Sequence, residues 1–246
     1  MADKPPNARK SLAGSSVTAF SLMELLVVIS IIALLLSILL PSLSKIRSMA
    51  ECLKCKSNLR QTAMAMDFYL KANNNTFPCA QDPVSASPYY WLWMGRGWRD
   101  FVEPYLVTGI DANNPSVLVC PADKTRAQEY ERTSYAYSMT FYHSPQQIND
   151  MNSVTDNYLD PVTSIPQKSC RVSRPCAKIL IGEWDSNHSA VKGEDPGWWG
   201  WKGTRNFIFV DSHVQFLDSE EISAARDGWP NPNLTVDGIK GMDYMP

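Results

Sequence analysis

The chain has 246 residues, 44% of them hydrophobic and 20% charged, with a net charge of −2. That length holds one membrane helix and one soluble domain with its own core. The slightly acidic balance argues against a nucleic-acid binder. No repeat of solenoid or propeller period and no low-complexity tract is present.

The first nineteen residues form a polar leader in which Lys4, Arg9 and Lys10 outweigh Asp3. From Phe20 to Leu40 the chain is almost wholly apolar, interrupted by Ser21, Glu24, Ser30 and Ser37. A bilayer core needs roughly 20 apolar residues in helical form. A cleaved secretory signal has a shorter apolar stretch, about 7–15 residues. The run therefore predicts a membrane helix. The basic leader keeps the N-terminus in the cytoplasm, so a single-pass inner-membrane protein with an extracytoplasmic body is expected. A lone acid in such a segment is costly and needs a partner.

Past Pro41 an apolar stripe continues at helical spacing through Ile46, Met49, Leu53, Leu59, Ala63, Met66 and Leu70. Pro41 removes one backbone bond, so a kink is expected there rather than a domain break. The stretch predicts one long helix from about Ser21 to Lys71, closed by Asn73, Asn74 and Asn75, which tolerate turn conformations. The expected organisation is a leader at 1–19, a transmembrane helix at 20–43, its amphipathic continuation at 44–72 and a β-rich body at 73–246. Most of the 17 prolines and 8 tryptophans fall in that body, which reads as loop-rich with short strands.

Six cysteines, an even count, fit an oxidising compartment. Six allow 15 pairings. Cys170–Cys176 is expected as a local closure and Cys79–Cys120 as a longer one. Cys52 and Cys55 form a C-x-x-C inside a helical pattern, where a disulfide would strain the helix. They read as two half-buried thiols, or as one pairing with the body. A zinc site there would need two more ligands at suitable spacing, and no matching pair is evident.

The body holds three further features. "KILIGEW" reads as a core strand ending in Glu183. "NFIFV-DS-HVQFL" reads as a hairpin with Asp211 in its turn. Trp198, Trp199 and Trp201, with the cluster Tyr89–Trp93, supply aromatic faces that stack on sugars or partner proteins when they are not packed in a core. No G-x-S-x-G, H-E-x-x-H or phosphate-binding glycine loop occurs, so no enzyme is indicated.

The N-terminal "AFSLMELLVVISIIALLLSILLPSL" resembles type IV pilins and type II secretion pseudopilins. The resemblance implies cleavage between Ala19 and Phe20 by a prepilin peptidase that also methylates the new terminus. Ala19 stands where the family usually has Gly. Glu24 matches the family's glutamate, which pairs with the α-amine of a neighbouring subunit, and Pro41 matches its helix-kinking proline. "CKSNLRQ", "WRDFVEPYL", "VCPADK", "SYAYS" and "FIFVDSHVQFL" are similar to pilin-like proteins of planctomycete-type bacteria, with Ser212 replacing a usual Gly. The implied fold is α+β and pilin-like: one long N-terminal helix packed on an antiparallel sheet with loop insertions. The implied function is a structural filament subunit, with sister pilins and a membrane assembly platform as partners. Major pseudopilins carry calcium in a C-terminal loop, which makes Asp185, Asn187 and Asp211 the candidate ligands. The alternative is a membrane-anchored module that binds a glycan or protein through its tryptophans and does not assemble.

Overall fold

The computed structural model describes residues 21–79, 98–106, 116–123, 133–152, 163–189, 191, 195, 197, 200 and 202–245. The chain divides into two units, Met1–Lys45 and Ile46–Pro246. The architecture is α+β: a 51-residue helix, α1 (Leu22–Ala72), and a four-stranded antiparallel sheet with intervening loops.

Helix α1 starts with a reciprocal cap. The Ser21 N–H donates to Glu24 Oε2 (2.9 Å), and the Glu24 N–H donates to Ser21 Oγ (3.3 Å). Two end groups that the helix itself leaves unpaired are thereby satisfied. The serines of the apolar stretch do the same for themselves. Ser30 Oγ donates to Leu26 O and Ser37 Oγ to Leu34 O, both at 2.7 Å. In lipid every polar group has to find such an internal partner. The helix continues through Pro41 without a break. It ends as expected at the three asparagines: Asn73 Nδ2 donates to Tyr69 O (2.8 Å), and Asn74 and Asn75 take positive φ.

Residues 21–50 are all exposed, and burial begins at Cys55. The packed face is Cys55, Leu59, Thr62, Met66 and Tyr69, with Asn58, Ala63, Ala65 and Leu70 beside it. This corrects the predicted stripe at its N-terminal end, because Ile46, Met49 and Leu53 are exposed. Six residues separate Leu53 from Leu59, a rotation that leaves them about 120° apart around the helix. The two groups therefore belong to different faces.

The sheet order is β1 (Tyr135–Tyr137), β2 (Ile179–Glu183), β3 (Thr204–Phe209), β4 (Val214–Asp218). Strand β2 is the predicted "KILIGEW" strand and is buried along its whole length between β1 and β3. Strands β3 and β4 form the predicted hairpin, paired from Thr204↔Asp218 to Ile208↔Val214. Its turn puts Ser212 at φ 71°, a conformation that favours Gly, and Ser212 Oγ donates to Asp67 Oδ2 of α1 at 3.2 Å. Short helices α2 (Trp98–Val102) and α3 (Pro145–Asp150) flank the core, where Tyr137, Phe141 and Tyr142 stack. At the start of β2 the fully buried Lys178 is neutralised by Asp243, whose Oδ2 accepts from Lys178 Nζ and from the Ile179 N–H, both at 2.8 Å.

Candidate functional site

Four side chains from distant parts of the sequence converge where α1 meets the far end of β2. Cys55 comes from the packed face of α1, Cys120 from the segment 116–123, Glu183 from the last position of β2 and His188 from the turn that follows. Their ligating atoms all lie within 4.8 Å of one another. Cys55 Sγ donates to Glu183 Oε1 at 2.9 Å. His188 Nε2 lies 3.0 Å from the same oxygen and 3.2 Å from Cys120 Sγ. The side chains of Glu183 and His188 are 0% and 1% exposed, and Cys55 and Cys120 are fully buried.

The surroundings aim these groups inward. Glu183 Oε2 accepts from the Asn206 N–H (2.7 Å) and from Asn206 Nδ2 (2.9 Å), which leaves Oε1 to face the cluster. Tyr135 Oη sits 3.2 Å from Cys55 Sγ, and the Cys120 N–H donates to Ser134 Oγ at 2.9 Å. His188 meets the edge of the Phe216 ring. Below, Arg205 ties the β2 end to the following loop, donating to Trp184 O and Lys202 O and pairing with Asp195.

Charge is shared unevenly within the cluster. Burial, and then the neighbouring Cys120 and Glu183, push the Cys55 thiol far up. The neighbouring Cys55 thiol pulls Cys120 down against its own burial, helped by His188. Burial opposes the His188 imidazolium, yet its bonds to Cys120 and Glu183 and their charges outweigh that and push it up to about 10. In the ion-free cluster a proton is thus held most firmly on Cys55 and drawn toward His188, all of it out of water.

The residues singled out in the sequence are distributed differently. Glu24 caps α1, as described, and is exposed. Ala19 and Phe20 lie outside the described residues, as do Trp198, Trp199, Trp201 and the cluster 89–93. Asp185 and Asn187 follow the end of β2, whereas Asp211 sits in the β3–β4 turn beside the start of β2, so the three candidate calcium ligands are at opposite ends of the strands. Asp211 instead serves its turn, with Oδ1 accepting from the His213 N–H (3.3 Å) and lying 2.5 Å from His213 Nδ1.

The disulfide expectation is corrected as well, since none of the six cysteines is bonded to another. Cys120 turns to Cys55 and His188 rather than to Cys79, which is half-buried against the core. Cys170 and Cys176 sit exposed on separate 3₁₀ turns. Cys55 is the member of the C-x-x-C that matters, and its companions are too far away in sequence for any spacing rule to find. The one legible signal was Glu183, an acid closing an otherwise apolar strand.

Fold and site together define an α+β protein with a helix long and apolar enough to cross a membrane and a buried Cys₂-His-Glu cluster behind it. No family model, no curated protein and no solved structure matches the chain.

Proposed function

We propose that this chain is a pilin-like structural subunit, made as an inner-membrane precursor with its N-terminus in the cytoplasm and its body outside. In this reading a prepilin peptidase cuts between Ala19 and Phe20 and methylates Phe20. The mature chain then joins a filament of the type II secretion or type IV pilus kind, alongside copies of itself or sister pilins. One observation carries the reading: a single helix whose first half is apolar and wholly exposed, while its second half is packed into a folded body. Such a helix has two destinations for its bare half, lipid before assembly and neighbouring helices after it. Leu25, Ile29, Ile32, Leu36 and Leu40 are all exposed and available for that packing.

Glu24 fits the same scheme. Its cap with Ser21 holds the carboxylate at the N-terminal rim of α1, on the backbone N–H of the residue that follows the proposed cleavage product's first position in sequence. Pairing with a neighbour's α-amine there would set the axial register of the filament. Mass spectrometry of the mature protein from its own host tests the processing step, with a chain beginning at N-methylated Phe20 expected. An intact Met1 or Ala2 start on membrane-resident protein would overturn it. Glu24→Ala should still insert but fail to enter filaments, and normal incorporation of that variant would remove the role given to Glu24.

A further inference from the structure

We propose that Cys55, Cys120, Glu183 and His188 bind zinc as a closed four-coordinate site that fastens α1 to the sheet. The donor set is two sulfurs, one imidazole nitrogen and one carboxylate oxygen, all types that zinc takes in tetrahedral sites. Ligand atoms around a tetrahedral zinc lie roughly 3.3–3.8 Å apart, given bond lengths of about 2.0–2.3 Å. Three contacts in the cluster are now 2.9, 3.0 and 3.2 Å and no pair exceeds 4.8 Å. Opening the short pairs by about 0.3–0.6 Å, with contraction of up to about 1 Å for a pair at the 4.8 Å limit, would seat the ion.

The glutamate already carries the kind of supporting contact that orients a metal ligand. Asn206 holds the outer oxygen of Glu183 with two hydrogen bonds, fixing which oxygen faces inward. Conserving charge is equally direct. Zinc enters as the Cys55 thiol proton and the proton between Cys120 and His188 leave, so both sulfurs ligate as thiolates and His188 as neutral imidazole. The set is wrong for calcium and for copper(I). Calcium needs six to eight oxygens and finds one. Copper(I) favours sulfur alone, which leaves the carboxylate unexplained. Without an ion, these four polar groups are desolvated with only one another, Asn206 and Tyr135 as partners, and burial works against every charged form among them.

The proposal does not depend on filament assembly, because its test reads metal and not filaments. The full chain, purified in detergent from zinc-replete medium, should carry about one zinc by elemental mass spectrometry. Cobalt replacing the zinc should give thiolate-to-metal charge-transfer bands in the near ultraviolet and the intense visible bands of a tetrahedral ion. Cys120→Ser and His188→Ala should lower bound zinc at least tenfold, Asn206→Ala should weaken affinity by about 10–100-fold, and Cys170→Ser, at an exposed position, should leave it unchanged. If a variant fails to fold, the two wild-type readings still decide. Wild-type protein with neither zinc nor a cobalt–thiolate spectrum overturns the proposal. So does a Cys55–Cys120 disulfide as the main form of the folded protein in its peptide map, or full zinc retention in folded Cys120→Ser.

Discussion

His143 follows the stacked Tyr142 into the core and is fully buried. Burial holds its imidazole neutral, down to about 4 from an ordinary 6.5, and a hydrogen bond with Gln147 offsets only part of that. The folded state therefore binds this proton less readily than the unfolded chain. Its stability contribution is complete above pH 6.5 and drains away as pH falls toward 4, by about 3 kcal/mol at one pKa unit per 1.4 kcal/mol. Urea midpoints at pH 7 and pH 4.5 check this. His143→Gln should lose clearly less stability across that interval than wild type, and parallel losses would show that His143 is not the group responsible. The same residue-scale logic explains Lys178, whose burial lowers its affinity for a proton while Asp243 restores much of it. Neither partner announces itself in sequence, because a buried charge is recognisable only once its counter-ion is beside it.

At the scale of elements, α1 carries two different apolar surfaces, and mutation separates them. Leu59→Ala removes a fully buried side chain and should cost the body 2–5 kcal/mol, at the level of about that range for core leucines. Leu53→Ala, at an exposed position, should stay within about 0.5 kcal/mol in detergent-solubilised protein. Thermal melts of the two variants side by side decide whether the packed face begins at Cys55. Helix α1, its asparagine end, strand β2 and the β3–β4 hairpin were all legible, since each rests on local periodicity or turn chemistry. The phase of the helix between Leu53 and Leu59 was not, because a six-residue step keeps an apolar composition while changing face. The Ser21–Glu24 cap has the S-x-x-E spacing of a capping box, set at the head of an apolar run where the carboxylate's charge is the more prominent property.

For the molecule as a whole, the division at Lys45 predicts independent behaviour of the body. Among the described residues the buried core lies within 46–246, and 21–45 contribute no buried side chain to it. A chain starting at Ile46 should be soluble without detergent and keep the melting temperature of the detergent-solubilised full chain. The full chain should self-associate when detergent is withdrawn. Sedimentation of both forms reads the outcome, and a shortened chain that aggregates would show that the first unit also protects the body. The buried cluster belongs to this scale too. Its members come from four separate segments, so no window of sequence contains it, and only closure of the sheet against α1 brings it into being.

That dispersion has a consequence in time. In the orientation proposed, the N-terminus stays in the cytoplasm and the chain that follows the membrane helix crosses in sequence order, so Cys55 and Cys120 both reach the outside before Glu183 and His188. During that interval two thiols wait in an oxidising space with nothing yet to occupy them, and a disulfide between them is the rival product. Maturation of the body is then a contest between two rates, oxidation of an early pair and arrival of the late strand. Cells that export this chain slowly should accumulate the oxidised form, and an isomerase able to reopen it would rescue them.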